Sequence, residues 1–506
     1  MNTLKRHEFL FWKYVLPLAM AWFGAVPVFG ELIPAAQLTD WTPGVRAGVI
    51  GGIPTNRTNI IDVTQAPYNA DNTDATDASA AIQAAINASA PGDVIYLPPG
   101  TYLIGNAVIM GPNASGRTLR GAGESSVLDI RTYSGIIVGA NGGLFSTYGM
   151  TDAQRIVSSG IARGSTQVTL GNTSQFYVGQ MLQLMVQNDP SIPVVSVNDY
   201  DIGTNLAPTN QIVRIISITP TTVTFYPPLY DDYGTGSLQI RVMYCLGQTV
   251  SVGLENFVAD YSNYFVSGVS GVQFFYTYGS WIEGVHIKSA YNYGLAIYDS
   301  LNCEARGCFV DGGKGSGSNG SGILGTMWGC LIEDNIITNC QPLVEVNGGS
   351  SGNVFAYNCG SANQMFDTNH SPQNRYNLYE GNAMDHLQSD GYFGGESELT
   401  IFRNYVYANS GGTVFLKRFI RRASVIGNFL GTALSLGLPN IGNGASTGTA
   451  QPSAGKPWRD YNMTATLTTR TDDQNGVITL NSGELFPPDQ YGNQQYITRI
   501  CRDPVP

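Results

Sequence analysis

Ile332-Glu333-Asp334-Asn335 is the first of five short segments that each end in asparagine. The others are Phe355-Ala356-Tyr357-Asn358, Tyr379-Glu380-Gly381-Asn382, Ile401-Phe402-Arg403-Asn404 and Val425-Ile426-Gly427-Asn428, and successive asparagines are 23, 24, 22 and 24 residues apart. A period of this length is typical of a β-solenoid, in which each turn of the chain hydrogen-bonds to the next. The Leu-x-x-Leu-x-Leu pattern of a leucine-rich repeat is absent. The repeat therefore predicts an all-β fold built as a solenoid of about 23 residues per turn.

The recurring asparagine has two physical uses in such a solenoid. Asparagine tolerates a left-handed backbone, and its side-chain amide can hydrogen-bond to asparagines in the turns above and below. We therefore expect an asparagine ladder whose members occupy the left-handed turn position. The residue after each asparagine, or after the glycine that replaces it in earlier turns, is mostly apolar, which predicts a column that faces the interior. That column consists of Val285, Cys308, Ile336, Cys359, Ala383, Tyr405 and Phe429.

The composition fits a turn-rich β protein that carries little charge. Charged residues make up 12% of the chain, against about 25% in an average soluble domain, while Gly (61) and Tyr (28) are abundant. Lys and Arg (26) are outnumbered by Asp and Glu (37), for a net charge of −11. Nucleic-acid binding needs a basic face, so no nucleic-acid partner is expected. The seven cysteines are odd in number, which excludes complete internal pairing, and they form no CxxC pair of a zinc or redox site. The five between residues 303 and 359 lie in the repeat region and are predicted to be small buried hydrophobes.

The N-terminus resembles an export signal. Lys5, Arg6 and Lys13 accompany an apolar run over residues 15–29, and small residues end it, so cleavage after Gly30 is predicted. A retained N-terminal anchor stays open as the alternative, because the run is close to the length of a membrane span. We predict a secreted, periplasmic or cell-surface protein without membrane contact after cleavage. The sequence gives no oligomeric state.

Five segments of the chain are distinguished by their patterns. Residues 78–88 predict a short helix, preceded by Asp77 as its cap, that covers an end of the solenoid. Alternating strands without ladder asparagines, at 166–170, 181–186, 211–219 and 222–226, predict an inserted β-rich subdomain. The predicted division is a signal peptide (1–30), an N-terminal cap with the first turns (31–140), the insertion (141–250), the main β-helix (251–435) and a tail that wraps the outside (436–506).

The region around the capping helix resembles the opening of a known superfamily. Asp71-Asn72-Thr73-Asp74-Ala75-Thr76-Asp77 is followed by Ala81-Ile82-Gln83-Ala84-Ala85-Ile86, then by Gly92-Asp93-Val94-Ile95-Tyr96-Leu97-Pro98-Pro99-Gly100-Thr101-Tyr102 and by Leu119-Arg120-Gly121-Ala122-Gly123. These motifs are similar to the N-terminal motif of the pectate lyase superfamily, as found in pectate-lyase-3-like and polygalacturonase-related proteins. The resemblance implies a right-handed parallel β-helix, in a superfamily that acts mostly on polysaccharides.

The resemblance does not specify the reaction. Of the polygalacturonase motifs, Gly-His-Gly and Arg-Ile-Lys are absent, and the one Asn-Thr-Asp is Asn72-Thr73-Asp74 in the opening. The Trp-Ile-Asp-His motif of the pectate lyases proper is represented only by Trp281-Ile282-Glu283. Similar openings occur in lyases, glycoside hydrolases, epimerases and phage tailspikes.

A row of charged residues indicates a site on the main β-helix. If Val344, Val346 and Phe366 point inward, then Glu345 and Asp367 point outward on consecutive turns. The same alternation predicts that the row continues with Asp390 and Lys417, and that Tyr298 and Tyr392 share its face. Neighbouring turns are about 4.8 Å apart, so adjacent carboxylates repel by about 3 kcal/mol at an effective dielectric constant of about 20. A bound cation, a shared proton or a nearby cation must relieve that repulsion.

Two chemistries can use this row in an exported polysaccharide-degrading enzyme, and the sequence favours β-elimination, with hydrolysis as the alternative. In β-elimination on a uronic-acid polysaccharide, Glu345, Asp367 and Asp390 would hold a Ca²⁺ ion, and Lys417 or His370 would remove the proton. Arg418 or Arg421 would then lie near the substrate carboxylate, and Tyr298 and Tyr392 would contact the substrate. In glycoside hydrolysis, two of the carboxylates would act as acid and base.

Two further possibilities stay open: a non-catalytic carbohydrate-binding or surface-attachment β-helix, and a row of ordinary solvated side chains. A polysaccharide is the expected partner, and no organic cofactor is expected.

Overall fold

The structure is a computed structural model of the chain. It describes residues 33, 35–48, 52–139, 144–146, 149–186, 209–233, 238–244, 247–264, 266–312, 320–360, 364–389, 395–406, 414–416, 420–426 and 428–430, and beyond these the short strands 458–460, 470–472, 478–480, 497–500 and 502–504.

Three long sheets of parallel strands form the body of the molecule. Each turn of the chain contributes one short strand to each sheet in the order A, B, C, and each strand pairs with the equivalent strand of the next turn. The strands of sheet A are Asn59–Asp62, Asp93–Leu97, Thr118–Gly121, Gly253–Glu255, Trp281–Glu283, Glu304–Arg306, Leu331–Glu333, Val354–Ala356, Leu378–Glu380, Thr400–Phe402 and Ala423–Ile426, followed by the antiparallel Ile497–Ile500.

Sheets B and C complete each turn. Sheet B consists of Thr73–Asp77, Gly100–Ile104, Ser126–Ile130, Val258–Asp260, His286–Lys288, Phe309–Asp311, Ile336–Thr338, Cys359–Gly360, Ala383–Met384, Tyr405–Val406 and Phe429–Leu430. Sheet C consists of Val108–Met110, Ser134–Gly139, Ser270–Phe275, Leu295–Leu301, Ile323–Trp328, Val344–Val346, Met365–Asp367, His386–Ser389 and Val414–Leu416, with Thr249–Val250 and Thr277–Tyr278 beside it. One continuous apolar core lies between the three sheets. The predicted parallel β-solenoid is confirmed.

The asparagine ladder lies at the corner between sheets A and B. Asn335, Asn358, Asn382 and Asn404 each donate their side-chain amide to the side-chain oxygen of the next ladder asparagine, at 2.9 Å, and the series ends at Asn428. All five side chains are buried. Since buried amides need partners, the ladder satisfies the polar groups of this corner from turn to turn.

The prediction that the ladder asparagines themselves adopt a left-handed backbone is wrong. The left-handed residue is the one before the asparagine, as at Asp334 (φ 56°), Tyr357 (φ 56°) and Arg403 (φ 54°). In earlier turns Gly284 and Gly307 take this left-handed position. The asparagine amide must point along the solenoid axis to reach the next turn, and the sharp corner is therefore made by its neighbour.

The column predicted to face the interior does so only in its first two members, Val285 and Cys308, which are buried in the core. Later members lie on the outside. Ile336 is 52% exposed and Tyr405 is 41% exposed, and both belong to one register column of sheet B. Because successive strand residues face opposite sides, the core is filled by the next residue along, as at Ile337 and Val406. Cys308 belongs to the ladder column instead, where its backbone N–H donates to Oδ1 of Asn335 at 3.0 Å.

A second ladder occupies the corner between sheets C and A, where none was predicted. Asn353 donates to Oδ1 of Asn377 at 3.0 Å, and the N–H of Cys330 donates to Oδ1 of Asn353 at 2.8 Å. Of the five cysteines in the described residues, four are buried, as predicted, whereas Cys359 is exposed, contrary to the prediction. The buried four are Cys303, Cys308, Cys330 and Cys340.

The predicted capping helix is the α-helix Ser79–Ala88. Ile82 and Ile86 face the core, and Oδ1 of Asp77 accepts a hydrogen bond from the N–H of Ser79 at 2.9 Å. The remaining helices are single turns. They are Ala35–Gln37, Val45–Gly48, Pro112–Ala114, Gly123–Ser125 and Asp152–Arg155.

A six-stranded antiparallel sheet interrupts the solenoid between its first and later turns. It has its own apolar core, which includes Leu184, Val213 and Phe225. A separate cluster, which includes Met181, Ile212 and Trp328, joins it to the β-helix. Its strands are Leu144–Ser146, Gln167–Thr169, Met181–Val186, Thr209–Ile218, Thr222–Tyr226 and Leu238–Tyr244.

The N-terminal residues 35–48 and 52–57 run along the outer face of sheet A. The indole N–H of Trp41 donates to the backbone oxygen of Tyr376 at 2.7 Å, and the N–H of Gly44 donates to that of Gly329 at 2.8 Å. Further along, the guanidinium of Arg57 lies 4.8 Å from the centre of the Trp281 ring. We name this stretch the N-terminal strap.

The structure tests the predictions for the two ends of the chain only in part. The signal segment 1–30 lies outside the described residues. In the tail, Ile497–Ile500 pairs antiparallel with Ala423–Ile426 at the end of sheet A. The other described tail strands form two small antiparallel pairs, namely Trp458–Asp460 with Arg502–Pro504 and Arg470–Asp472 with Ile478–Leu480. Within the part of the chain that is described, no helix has the length and apolar character needed to cross a membrane.

Candidate functional site

Glu345 and Asp367 are register partners on neighbouring strands of sheet C. Their strands place Val344 and Phe366, which are also partners, in the apolar core. Since side chains alternate along a strand, the two carboxylates lie on the opposite face, as predicted.

The rest of the row differs from the prediction. The next register partner of Asp367 is Gln388, and that of Gln388 is Phe415. Asp390 and Lys417, expected in these places, come two residues later in the sequence and lie outside the described residues. Tyr392 and Arg418 also lie outside them. The roles suggested for these four residues stay predictions.

Glu345 and Asp367 are only 3% exposed. The interpretation of the row as ordinary solvated side chains therefore fails for these two residues. Ionised carboxylates are almost never buried without partners, because burial removes their hydration.

Glu345 is held by hydrogen-bond donors. The hydroxyl of Ser321 donates to its Oε2 at 2.5 Å, and the side-chain amide of Asn347 donates to its Oε1 at 3.4 Å. Ser321 is itself buried, in the turn before the strand Ile323–Trp328. Donors directed at both oxygens stabilise a negative charge on Glu345.

Asp367 is in a different electrostatic environment. Burial raises its pKa above the ordinary value, and the nearby Glu345 raises it further. His370 and the hydrogen bonds from Gln388 (3.2 Å) and from the N–H of Asn369 (3.2 Å) act in the opposite direction, and the net shift is upward. A carboxyl group with a raised pKa is suited to the role of a general acid.

His370 lies close to both carboxylates. Its Nε2 is 3.8 Å from Oε1 of Glu345, and its Nδ1 is 3.9 Å from Oδ2 of Asp367. The imidazole side chain is 24% exposed, so it reaches the surface from a buried pair. Glu345, Asp367 and His370 form a compact acid–base cluster, which we name the carboxylate cluster.

A second histidine–carboxylate pair lies one turn away and was not predicted as functional. Nδ1 of His386 is 2.9 Å from Oδ2 of Asp385, which is fully buried. His386 is the register partner of Met365, two residues before Asp367. In the sequence, this pair is indicated only by the adjacent residues Asp385 and His386 at the start of the strand His386–Ser389.

Glu396 is a further buried carboxylate that the sequence pattern did not predict. Its Oε2 accepts hydrogen bonds from the hydroxyls of Thr368 and Ser389, both at 2.7 Å. It lies outside any strand, so the alternation of strand residues gave no indication of it.

The two remaining predicted residues lie apart from the carboxylate column. The ring of Tyr298 stacks on Phe275 with centroids 5.2 Å apart, and its register partner Thr326 is two positions beyond Leu324, the partner of Glu345. Arg421 is buried at the corner before sheet A, and its backbone N–H donates to the oxygen of Glu396 at 2.8 Å.

The predicted Ca²⁺ site is not tested by the structure. Among the described residues, no group of three or more His, Cys, Asp or Glu side chains is arranged to hold a metal ion. Asp390, the third expected ligand, lies outside those residues. Glu345 and Asp367 supply hard oxygen donors of the kind that Ca²⁺ prefers.

The three parallel sheets, the stacked ladders and the capping helix define the class of protein. The chain is a parallel β-helix, and its N-terminal part is similar to the pectate-lyase-like superfamily. Residues 61–221 match the family model described as "Rhamnogalacturonase A/epimerase, pectate lyase-like". No curated protein matches the chain.

Several solved structures are similar to this chain at low identity. The Pseudomonas phage phi297 tailspike gp61 is 13% identical with a TM-score of 0.46, and the match covers 71% of this chain and 67% of that one. The Azotobacter vinelandii mannuronan C-5 epimerase AlgE6 A-module is 13% identical with a TM-score of 0.43, over 74% and 87%. For the tailspike protein gp49 from Pseudomonas phage LKA1, at 14% identity and a TM-score of 0.40, the match covers 70% of this chain and 64% of that one.

Proposed function

We propose that the protein is an exported enzyme that cleaves a polysaccharide at the carboxylate cluster. The observation that supports this most is the buried register pair of Glu345 and Asp367, in which the pKa of Asp367 is raised. Burial of two carboxylates on adjacent turns is unfavourable for folding, and such arrangements concentrate at functional sites. The predicted signal segment would bring the enzyme to an extracellular polymer.

Hydrolysis of a glycosidic bond is the reaction that this pair fits best. Asp367, protonated, would donate its proton to the glycosidic oxygen as the bond to the anomeric carbon breaks. Glu345, stabilised as an anion, would attack the anomeric carbon, and water would release the sugar in a second step. Adjacent turns are about 4.8 Å apart, which is nearer to the about 5–5.5 Å of retaining enzymes than to the wider spacing of inverting ones.

The position of His370 supports β-elimination as a second candidate. An imidazole within 4 Å of two carboxylates can act as a base towards the acidic C–H of a uronic acid. In this reaction the C–H proton passes to the base, the bond to the leaving oxygen breaks, and a carbon–carbon double bond forms. The predicted Ca²⁺ ligands Glu345, Asp367 and Asp390, and the predicted base Lys417, belong to this alternative.

One screen distinguishes the candidates. The protein is incubated with neutral and uronic-acid polysaccharides, with and without Ca²⁺, and both reducing ends and ultraviolet absorbance of unsaturated products are followed. New reducing ends without absorbance support hydrolysis, and absorbance that requires His370 supports elimination. Asp367→Asn and Glu345→Gln should each lower either activity by about 10²–10⁴-fold, whereas the exposed Glu124→Gln should not.

Binding without cleavage is the outcome that contradicts the proposal. If a polysaccharide is bound but yields neither product, and Asp367→Asn leaves that binding unchanged, the chain is a carbohydrate-binding β-helix and not an enzyme.

A further inference from the structure

The outer face of sheet A carries charges of both signs in one place. Glu283, Arg306 and Glu333 are successive register partners, and Glu304 lies beside them in the neighbouring column. Stacked carboxylates repel one another, and here Arg306 lies between Glu283 and Glu333 in the column. Nη2 of Arg306 is 2.8 Å from Oε1 of Glu304 and 2.8 Å from Oε2 of Glu333.

The N-terminal strap leaves a cavity over these charges. Trp41 anchors the strap at one end, through its bond to Tyr376, and Arg57 anchors it at the other, over Trp281. Between these points lies a cavity of about 750 Å³. Such a volume is in the range of small-molecule and cofactor sites.

Polar and apolar surfaces meet in this cavity. Its charged lining consists of Arg46 from the strap and Glu283, Glu304, Arg306 and Glu333 from sheet A. Its apolar lining includes Trp41, Ile53 and Leu331.

Glu304 is buried at the base of the cavity, where its Oε2 accepts the N–H of Val45 at 3.2 Å. Burial raises the pKa of Glu304, and Glu333 and Glu283 raise it further, against the opposing effect of Arg306. A negatively charged ligand group is therefore disfavoured next to Glu304, and a ligand group that forms hydrogen bonds is favoured there.

The mixture of charges restricts the chemistry of the ligand. Three carboxylates disfavour an anion, and two guanidinium groups disfavour a cation. A hydroxyl group both donates and accepts, so a polyhydroxylated ligand can pair with both kinds of side chain. Aromatic and aliphatic walls such as Trp41 and Leu331 suit the C–H faces of a sugar ring.

We propose that this cavity binds a neutral saccharide unit, at a second site separate from the carboxylate cluster. The two sites lie on different sheets, A and C, and the inference does not depend on cleavage at the cluster. The second site would hold a glycan chain on the protein surface without acting on its bonds.

Binding to a glycan array tests this proposal. The array carries neutral, uronic-acid-containing and amino-sugar-containing oligosaccharides, and the full chain is applied as the Asp367→Asn variant so that ligands are not consumed. In this background we expect binding to neutral oligosaccharides. Adding Glu283→Gln with Arg46→Ala should reduce it at least about tenfold, which corresponds to about 1.4 kcal/mol.

A second variant tests the cavity without removing charge. Thr55 is exposed at its rim, so Thr55→Trp should fold normally and block the neutral ligands. Glu124→Gln, a distant exposed carboxylate, serves as the control and should bind as the parent does.

The proposal is overturned if no neutral oligosaccharide binds, if only charged ones bind, or if the cavity variants bind as well as the parent. Cleavage assays on Glu283→Gln/Arg46→Ala with an intact carboxylate cluster separate the two hypotheses. Loss of binding with normal cleavage rates supports a separate site, and a failure of cleavage in every variant contradicts only the enzymatic proposal.

Discussion

Asp367 lies in a site where an ionised carboxylate is poorly solvated. Burial is the largest cause of its raised pKa, and the charge of Glu345 adds to it. Hydrogen bonds and His370 offset these effects only in part. At the scale of single residues, the strongest functional feature of this molecule is therefore a carboxyl group that keeps its proton to higher pH than an exposed one.

This shift makes the stability of the protein depend on pH. The folded state binds the Asp367 proton more tightly than the unfolded state does, so stability falls as pH rises through the raised pKa. Below the ordinary carboxyl pKa the group is protonated in both states, and the stabilisation relative to high pH is fully present.

Asp367→Asn should remove both the negative charge of the ionised carboxylate and the acidic proton of the carboxyl group. We expect activity to fall by about 10²–10⁴-fold, the usual contribution of a general acid or base. The melting temperature at neutral pH should rise, because an unfavourable buried charge is gone, and this gain should shrink as pH falls through the raised pKa towards the ordinary carboxyl pKa. Thermal denaturation across the pH range measures it. The control Asp152→Asn, on the exposed side of the insertion, should show neither effect.

At the scale of elements, the two sides of each short strand have opposite roles. In the strand Ile336–Thr338, Ile336 is exposed and Ile337 is fully buried, although the two residues are chemically identical. The sequence predicted the strand and the ladder beside it, but it assigned the wrong residue to the core. A three-residue strand is too short for alternation alone to show which side is inside.

This adjacent pair gives a matched test of the corrected orientation. Ile337→Ala should lower the free energy of unfolding by about 2–5 kcal/mol, as for buried Ile or Leu positions. Ile336→Ala should change it by no more than about 0.5 kcal/mol. Chemical denaturation of the two variants measures both values. Equal losses, or a larger loss at Ile336, would contradict the structure.

The inserted sheet shows how well longer elements can be predicted. Met181–Val186 and Thr222–Tyr226 have the predicted bounds, and Thr209–Ile218 begins two residues before its predicted start and ends one before its predicted end. These strands are five to ten residues long, so their alternation is visible over several periods. The antiparallel order in which they pair depends on contacts that no local pattern contains.

At the scale of the whole molecule, parts distant in sequence cover the faces of the solenoid. The N-terminal strap lies on sheet A, where Trp41 contacts residues more than 300 positions later in the chain. The insertion lies near sheet C, where the side-chain amide of Asn210 donates to the oxygen of Gly348 at 3.1 Å. The N-terminal strap and the insertion therefore distinguish particular faces of a repetitive fold, and the cavity on sheet A lies beneath the strap.

Trp41→Ala should detach the strap without unfolding the β-helix. The indole packs on Val354, Ala356 and Leu378 and supplies the hydrogen bond to Tyr376, so its loss removes one anchor of the strap. We expect limited proteolysis to cut first between residues 35 and 57, while the remainder stays resistant. Equal protection of the strap in the variant and the parent would show that Trp41 is not an anchor. Ile60→Ala, an exposed residue just beyond the strap, is the control.

The sequence by itself determined the repeat. The spacing of the asparagines, the capping helix and the opening motif were sufficient for a parallel β-helix, because each of these features depends on neighbours along the chain or on equivalent positions in the next turn. The low charge has the same origin, since each turn covers its surface with uncharged polar side chains and buries an amide ladder.

Only the tertiary structure decided which residues meet. It placed Gln388 instead of Asp390 beside Asp367, because register depends on loops of different length between strands. It buried Glu345 and Asp367, which a strand pattern can only assign to an outer face. It also brought the strap over Glu304 and Arg306, because packing between segments some 260 residues apart leaves no periodic signal in either one.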